Sequence, residues 1–341
     1  MKRWIGPMSC AMAVAFACAP VARAQDADWA KVVEAAKKEG SVVVYDAGLG
    51  VPLYEAIARD FEKTYGIKVE TIIGRGSEIT ERIRAEQSAG RFIGDLQLHA
   101  ESVIMQQQTQ GAFVQPLPTT PNAGHLREPF AATPIAMPIY TQAYGIFVNT
   151  NLVKPEDEPR AWTDLLDPKW KGRILSDDLR PIGAGNGLFT VLYKTYGAAF
   201  HEKLAAQSLT FSRDPAADAR RVARGEFPIY IPQVYGLVST FTGLPVKALV
   251  PADGTPYSPM DFAVLTKAPH PNAARLMINY FLEIRSQLVY AEGWMPPVVR
   301  DVIDKTSPTA RPYAGVKLLG TTRPEERDEM AALARKFYAN Y

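Results

Sequence analysis

Between residues 41 and 111 the sequence switches repeatedly between two hydrophobic periods, and this alternation limits the fold more than any other feature. Ser41 to Tyr45 is a β-branched run suited to a strand buried on both faces. Val51 to Tyr65 then carries Leu53, Ile57 and Phe61 at i, i+4 and i+8, one face of a helix, and Gly66 ends it. Ile67 to Ile73 reads as a second strand and Glu78 to Ala89 as a helix with Ile79 and Ile83 on one face. Asp95 to Leu98 reads as a third strand, and Glu101 to Gln110 as a helix stopped by Gly111. Repeated βα units predict an α/β fold with mainly parallel sheet and helices on both faces.

The pattern breaks once and then resumes. Pro116 to Pro138 is rich in proline and threonine, has no period, and leads into a strand at Tyr144 to Asn149, which reads as a crossing between two lobes. Beyond it, helices are predicted at Leu188 to Tyr196 and Pro215 to Gly225, and strands at Ile229 to Ile231, Val246 to Val250 and Asp261 to Leu265. Asn272 to Glu292 reads as one long helix with Leu276, Tyr280, Ile284 and Leu288 at i+4 steps. A last helix, Glu325 to Ala339, presents Met330, Leu333 and Phe337 to a core. A chain of 341 residues fits two domains at roughly 150 residues each.

Residues 1-24 have the pattern of a cleavable secretory signal: Lys2 and Arg3, a short apolar stretch, then Ala22-Arg23-Ala24 before Gln25. The apolar stretch is shorter than the ~20 residues a membrane span needs. The expected location is therefore periplasmic, without a direct membrane anchor. Both cysteines, Cys10 and Cys18, lie in this segment, so thiolate catalysis and thiolate metal sites are excluded from the exported part. Lys2, Arg3 and Arg23 also account for the whole excess of Lys+Arg (38) over Asp+Glu (36). The remainder is near neutral with no basic stripe, which argues against nucleic acid as a partner.

Four segments in order carry a family resemblance. Trp162-Thr-Asp-Leu-Leu-Asp-Pro-Lys-Trp-Lys-Gly-Arg-Ile174 is similar to the W-x-D-L-x-D-P-x-W-K-G-x-I signature of type II periplasmic solute-binding proteins of ABC importers. Ala30 to Tyr45, Ala136 to Val153 and Ala268 to Leu276 resemble that family's opening, its crossing strand and the entry to its late helix. The branch includes ferric-ion-binding proteins. The resemblance implies two α/β lobes, 25-135 with 258-305 and 136-257 with 306-341, joined by a hinge. It also implies a small-molecule solute in the cleft, a membrane permease as partner, and a receptor that works as a monomer. Ferric ligation in that branch uses His, Glu and two tyrosines, whose positions fall here at Leu49, Ala100 and Val234-Tyr235. Most of that ligand set is missing, so no metal and no cofactor is expected.

The candidate ligand contacts lie where parallel-sheet proteins place them, after the carboxyl ends of strands. On the first lobe these are Gly48 and Leu49, then Arg75, Gly76 and Ser77, and His99. On the second, Pro181 to Gly187 is a glycine-rich loop read as opening a helix at Leu188. Its Gly183, Ala184, Gly185 and Asn186 are candidates for an anion cradle, with Arg180 as an added cation. Gln233 and Tyr235 follow a strand, and Tyr257 and Asp261 sit at the return crossing, beside Pro259 and Met260. Trp294 to Pro296 could close the rim. The loop's spacing fails the dinucleotide fingerprint, because Leu188 stands where the last glycine would be.

An enzyme is not expected. No G-x-S-x-G turn occurs, and His99, His125, His201 and His270 form no H-E-x-x-H or spaced metal cluster. The anion-friendly loop, Arg180 and Arg75 point to a small organic anion, phosphorylated, phosphonate or carboxylate, as the solute. A metal ion, or a cationic or neutral solute, would instead make Glu78 and Asp261 matter.

Overall fold

The computed structural model describes residues 19–48, 52–111 and 113–340. Leu49 and residues 1–18, the larger part of the segment read as an export signal, therefore lie outside the described residues. Ala19 to Ala24 begin helix α1 (Ala19–Glu39), which runs straight on into the chain that follows.

The first half follows the predicted alternation: β1 (Ser41–Asp46), α2 (Pro52–Tyr65), β2 (Lys68–Ile73), α3 (Gly76–Ser88), β3 (Leu96–Ala100) and α4 (Glu101–Gly111). Then come β4 (Met137–Asn149), β5 (Ile174–Asp177), α5 (Ala184–Tyr196), α6 (Ala198–Ala206), β6 (Thr210–Ser212), α7 (Pro215–Ala223), β7 (Ile229–Val234) and β8 (Val246–Leu249). The chain finishes with β9 (Thr255–Val264), α8 (Pro271–Phe281), α9 (Ile284–Glu292), α10 (Arg311–Ala314), β10 (Leu318–Gly320) and α11 (Arg327–Phe337). Among the described residues no helix is long and apolar enough to cross a membrane.

The strand order is β2-β1-β3-β9-β4-β7-β5-β6, with β10 beside β9 and β8 beside β4. Pairing is parallel within β2-β1-β3 and within β7-β5-β6, and antiparallel where β9 and β4 join them. Along β4, Met137 to Ala143 pair with β9, and Tyr144 to Asn149 pair with β7 and β8. β4 thus runs on from its pairing with β9, beside the first parallel set, to its pairing with β7 in the second.

Alternate side chains along each strand supply the cores on opposite faces. Val42 and Val44 enter one apolar cluster with Tyr54, Phe61 and Tyr280, whereas Val43 and Tyr45 enter another with Ile79, Ile83 and Ile104. In the second half Ile146, Ile229 and Ile231 pack with Trp162, Leu188 and Tyr338, while Phe147, Leu175 and Tyr230 face Ala219, Val222 and Tyr235. The signature segment is structural: Trp162 is fully buried, its Nε1 donates to Gly254 O (2.9 Å), and Asp164 caps the turn through the N–H groups of Arg160 and Ala161.

One predicted helix divides. Asn272 to Glu292 is not continuous: α8 ends at Phe281, Glu283 is extended, and α9 starts at Ile284. Two buried side chains take the freed carbonyls, Ser286 Oγ donating to Tyr280 O (2.7 Å) and Gln287 Nε2 to Phe281 O (2.8 Å). The break turns Ile284 outward, to 37% exposure, although the i+4 rule had placed it in the core. The final helix likewise starts at Arg327, after a 3-10 turn at Pro324–Glu326.

Candidate functional site

Strand ends and the two crossing strands enclose a cavity of about 770 Å³, within the size range of small-molecule sites. Gly48 follows β1, Gly76 and Ser77 open α3, and His99 ends β3, so the first half supplies one wall from three adjacent strand ends. Ile182, Gly183, Ala184 and Asn186 supply the facing wall around the start of α5. Gln142 and Tyr144 of β4 and Tyr257, Ser258 and Met260 of β9 also line it.

The first wall is stiff because its polar groups bind one another. Gln97 Nε2 donates to Gln107 Oε1 (2.8 Å), Gln107 Nε2 to Thr80 Oγ1 (2.9 Å), and Thr80 Oγ1 to Gly76 O (2.8 Å), a relay tying β3, α4 and α3 together. Gly76 is required by close approach, since a Cβ there would lie 2.8 Å from His99 Nε2. His99 Nδ1 accepts the N–H of Ala100 (2.8 Å), which puts the neutral ring's proton on Nε2, facing Gly76 O at 3.3 Å. Burial depresses its pKa to about 4, with the charge of Arg327 acting in the same direction against the Gly76 carbonyl. His99 is a neutral wall with both nitrogens engaged.

The glycine loop differs from its sequence reading. The helix begins at Ala184, not Leu188, so Gly185 and Gly187 belong to its first turn. The anion place at that helix start is already held from inside: Gly185 N–H donates to Asp177 Oδ2 (2.7 Å). Gly185 is buried and does not line the cavity, and Asn186 spends its Nδ2 on Leu179 O (2.9 Å) while still contributing to the wall.

Burial raises the Asp177 carboxyl to about 6, with the Gly185 N–H opposing. A raised folded value means that the folded protein binds more protons between the ordinary aspartate pKa and about 6. Its charge therefore costs stability above that pH, and the cost disappears as pH falls through it. Asp177→Asn keeps an acceptor for Gly185 and is expected to raise stability near pH 8 by about 2 kcal/mol. The gain should shrink towards pH 4.5, as read by thermal unfolding at both values. Equal melting at pH 8 would show that the carboxylate is not a burden.

Several sequence candidates lie elsewhere. Arg75 is exposed and outside the cavity lining, its N–H held by Glu78 (3.1 Å). Arg180 points into a separate shallow depression with Arg213 and Arg335, gripping Asp178 through Nε (2.8 Å) and Nη2 (2.9 Å) and lying over the Phe211 ring. Gln233 is buried and donates to Val234 O (3.1 Å). Tyr235 is turned into the second core, its hydroxyl on Leu249 O (3.3 Å) and Thr255 Oγ1 (3.2 Å). Asp261 pairs with His99 across β9 and β3 but is buried behind the wall, where burial holds its carboxyl well above the usual range. Of the tryptophan-proline rim, Trp294 stacks on Tyr313 (4.2 Å) and Met295 is buried, away from the cavity.

The sequence reading missed other lining residues. Ser102 and Gln106 come from α4, Arg213 from the loop after β6, Thr321 and Thr322 from the segment after β10, and Arg327 from the start of α11. Arg327 Nη2 donates to Gln106 Oε1, so the C-terminal helix reaches across to α4. Glu81 is the one acid lining the cavity among the described residues, and Arg84 on the same helix already pairs with it. Among the described residues no three His, Cys, Asp or Glu side chains converge as a metal cluster. Of the positions that the family resemblance implies for ferric ligands, Ala100 lines the cavity with no donor side chain and Tyr235 faces away into the core.

Residues 96–320 match the family of bacterial extracellular solute-binding proteins. The chain belongs to this family. It is a solute-binding protein of the type II class that serves ABC importers. An uncharacterized protein of Haemophilus influenzae is 22% identical over 302 residues, covering 83% of this chain and 85% of the other. Iron-bound HitA from Pseudomonas aeruginosa superposes with a TM-score of 0.69 at 18% identity, over 87% of this chain and 99% of HitA. Pasteurella haemolytica apo ferric ion-binding protein A gives 0.71 at 18% identity, over 88% and 97%. A substrate-binding protein of an Agrobacterium tumefaciens ABC transporter gives 0.71 at 18% identity, over 87% and 94%. These likenesses establish the two-lobed fold. The solute-binding protein described here shares that fold while carrying its own set of side chains in the cleft.

Proposed function

We propose that this solute-binding protein captures a small organic anion, phosphorylated, phosphonate or carboxylate, and hands it to the membrane permease of an ABC importer. We assign residues 1-24 to an export signal that directs it to the periplasm, where it acts as a free monomer. Residues 25-135 and 258-305 form one lobe in this reading, and 136-257 and 306-341 the other. Its family and fold neighbours are binding proteins, which supports a receptor over an enzyme.

The observation that carries the anion reading is the charge balance of the cavity. Arg213 and Arg327 line it from the second half, and the lone acid, Glu81, is neutralised by Arg84. Closure requires a solute that binds the closed state better than the open one, and moving a population from 1:99 to 99:1 takes about 5.5 kcal/mol. Contacts on both walls, with arginines on one and hydroxyl and amide groups on the other, suit a compact anion.

A ferric-ion receptor of the same fold is the second reading, favoured by the ferric proteins among the structural neighbours. Native mass spectrometry of what co-purifies, followed by a thermal-shift screen, separates the two. A solute at 100 times its Kd stabilises the folded state by about 2.7 kcal/mol. Organic anions should raise the melting temperature and ferric salts should not; the reverse result overturns the anion reading.

A further inference from the structure

Ile182 and Val103 are apolar side chains that no core uses. They line the cavity from facing walls, one on the loop before α5 and the other in the first turn of α4, and neither packs into an apolar cluster of the described residues. Ile182 is 46% exposed, and of the large hydrophobic side chains exposed among the described residues it is the one that lines the cavity. A lone apolar side chain on an outer surface needs no explanation, but two β-branched ones set on facing walls of a cleft do. Tyr257 and Met260 of β9 add apolar surface to the same cavity.

Many polar groups of the walls are spent on the protein itself. Gln107 has both ends of its amide engaged, by Gln97 and Thr80, and Thr80 in turn donates to Gly76 O. His99 has both ring nitrogens engaged, and Asn186 Nδ2 donates to Leu179 O. A sugar or polyol body entering here would give up its water and find few partners, at a cost for each hydroxyl left unpaired. We infer that the solute's body is apolar, a ring or branched chain clamped between Ile182 and Val103, with its anionic group turned towards Arg213, which is exposed on the loop after β6. This rests on the anion reading above and narrows it to phosphonates and carboxylates with an aryl or branched alkyl body. A cavity of about 770 Å³ has room for such a body, which inorganic phosphate or methylphosphonate would leave largely unfilled.

The test is calorimetric titration at constant ionic strength with phenylphosphonate, benzoate and isovalerate as anions with apolar bodies. Methylphosphonate is the anion without a body, glycerol 3-phosphate the anion with a polar body, and benzyl alcohol the body without a charge. The tightest of the first three should bind wild type at least about tenfold more strongly than methylphosphonate or glycerol 3-phosphate, the scale on which an apolar pocket discriminates. Ile182→Ser should weaken that anion about tenfold and Val103→Ser by somewhat less, since each removes apolar contact on one wall. Ile284→Ser, the same change at an exposed site on α9 away from the cavity, should stay within about twofold of wild type. Melting of the unliganded Ile182→Ser protein should not move, because the side chain supports no core, so weaker binding is not a loss of folding. If methylphosphonate or glycerol 3-phosphate binds as tightly as the apolar-bodied anions, or if Ile182→Ser binds them as wild type does, the clamp is overturned and the anion reading stands. If benzyl alcohol binds as tightly as benzoate, the anion reading falls and the clamp remains. If none of the six binds, both fall together.

Discussion

Trp162→Ala is expected to destabilise the protein by about 3–5 kcal/mol, the range for emptying a large buried aromatic site. The indole is fully buried among Leu165, Trp170, Ile174 and Leu204, and its removal strips Gly254 O of the Nε1 donor as well. The void cannot close easily, because the backbone on either side is pinned: Trp162 N–H donates to Asp253 (3.1 Å), and Asp164 holds the preceding turn. Since Arg213 and Arg327 belong to the half that this core supports, solute capture should fail on heating at the lower temperature of the variant. In the cold, where the protein is folded, affinity should be unchanged. Denaturant unfolding followed by titration checks both parts, and a loss below about 1 kcal/mol would mean that the core repacks.

Gly145→Val should be as damaging by the opposite route. A Cβ at this point of β4 would lie 2.3 Å from Tyr235 Cε1 and 2.6 Å from Leu249 O. Tyr235 is anchored by its hydroxyl, and Leu249 is held in the β8 ladder opposite Ile146, so neither neighbour can yield without giving up bonds. Overpacking against backbone is placed at about 3 kcal/mol or more, the upper part of the usual range. Combining it with Tyr235→Ala should recover part of the loss, leaving the pair less than additive. Strict additivity in thermal unfolding would show that the clash lies elsewhere.

Which parts of the molecule were legible in its sequence follows from how each element is buried. The βα units of residues 41–111 were readable because Val42 to Tyr45 is buried on both faces and Ile57 and Phe61 mark a clean helical stripe. The crossing strands were read too short. β4 begins at Met137, but Pro138, Thr141 and Gln142 hide its first half, and only pairing with β9 reveals why polar residues suit it: Thr141 donates to Ser258 O (3.0 Å). β5, β6 and β10, of four, three and three residues, carry too little pattern to register.

For the site, strand-end loops pointed to Gly48, Gly76, Ser77 and Gly183 because parallel sheets expose those ends. The long-range partners gave no local mark. Arg327 lies 221 positions from Gln106, and nothing in either segment names the other. One signal was present: Arg327 is a basic residue in the first turn of a helix, where the macrodipole favours acids. A residue placed against that preference calls for another purpose. Tyr235 and Asp261 misled for the opposite reason, since a polar residue beside a predicted cleft reads as ligand-facing unless the side of the strand is known.

The antiparallel pairing of β4 with β9 has a mechanical consequence. Side by side and bonded from Met137 opposite Phe262 to Ala143 opposite Tyr257, the two strands make a ribbon rather than two separate tethers. A ribbon bends easily across its flat face, like a leaf spring, but resists sliding, because slippage would break the ladder and flip every side chain to the wrong side. Opening and closing are thereby confined to one swing.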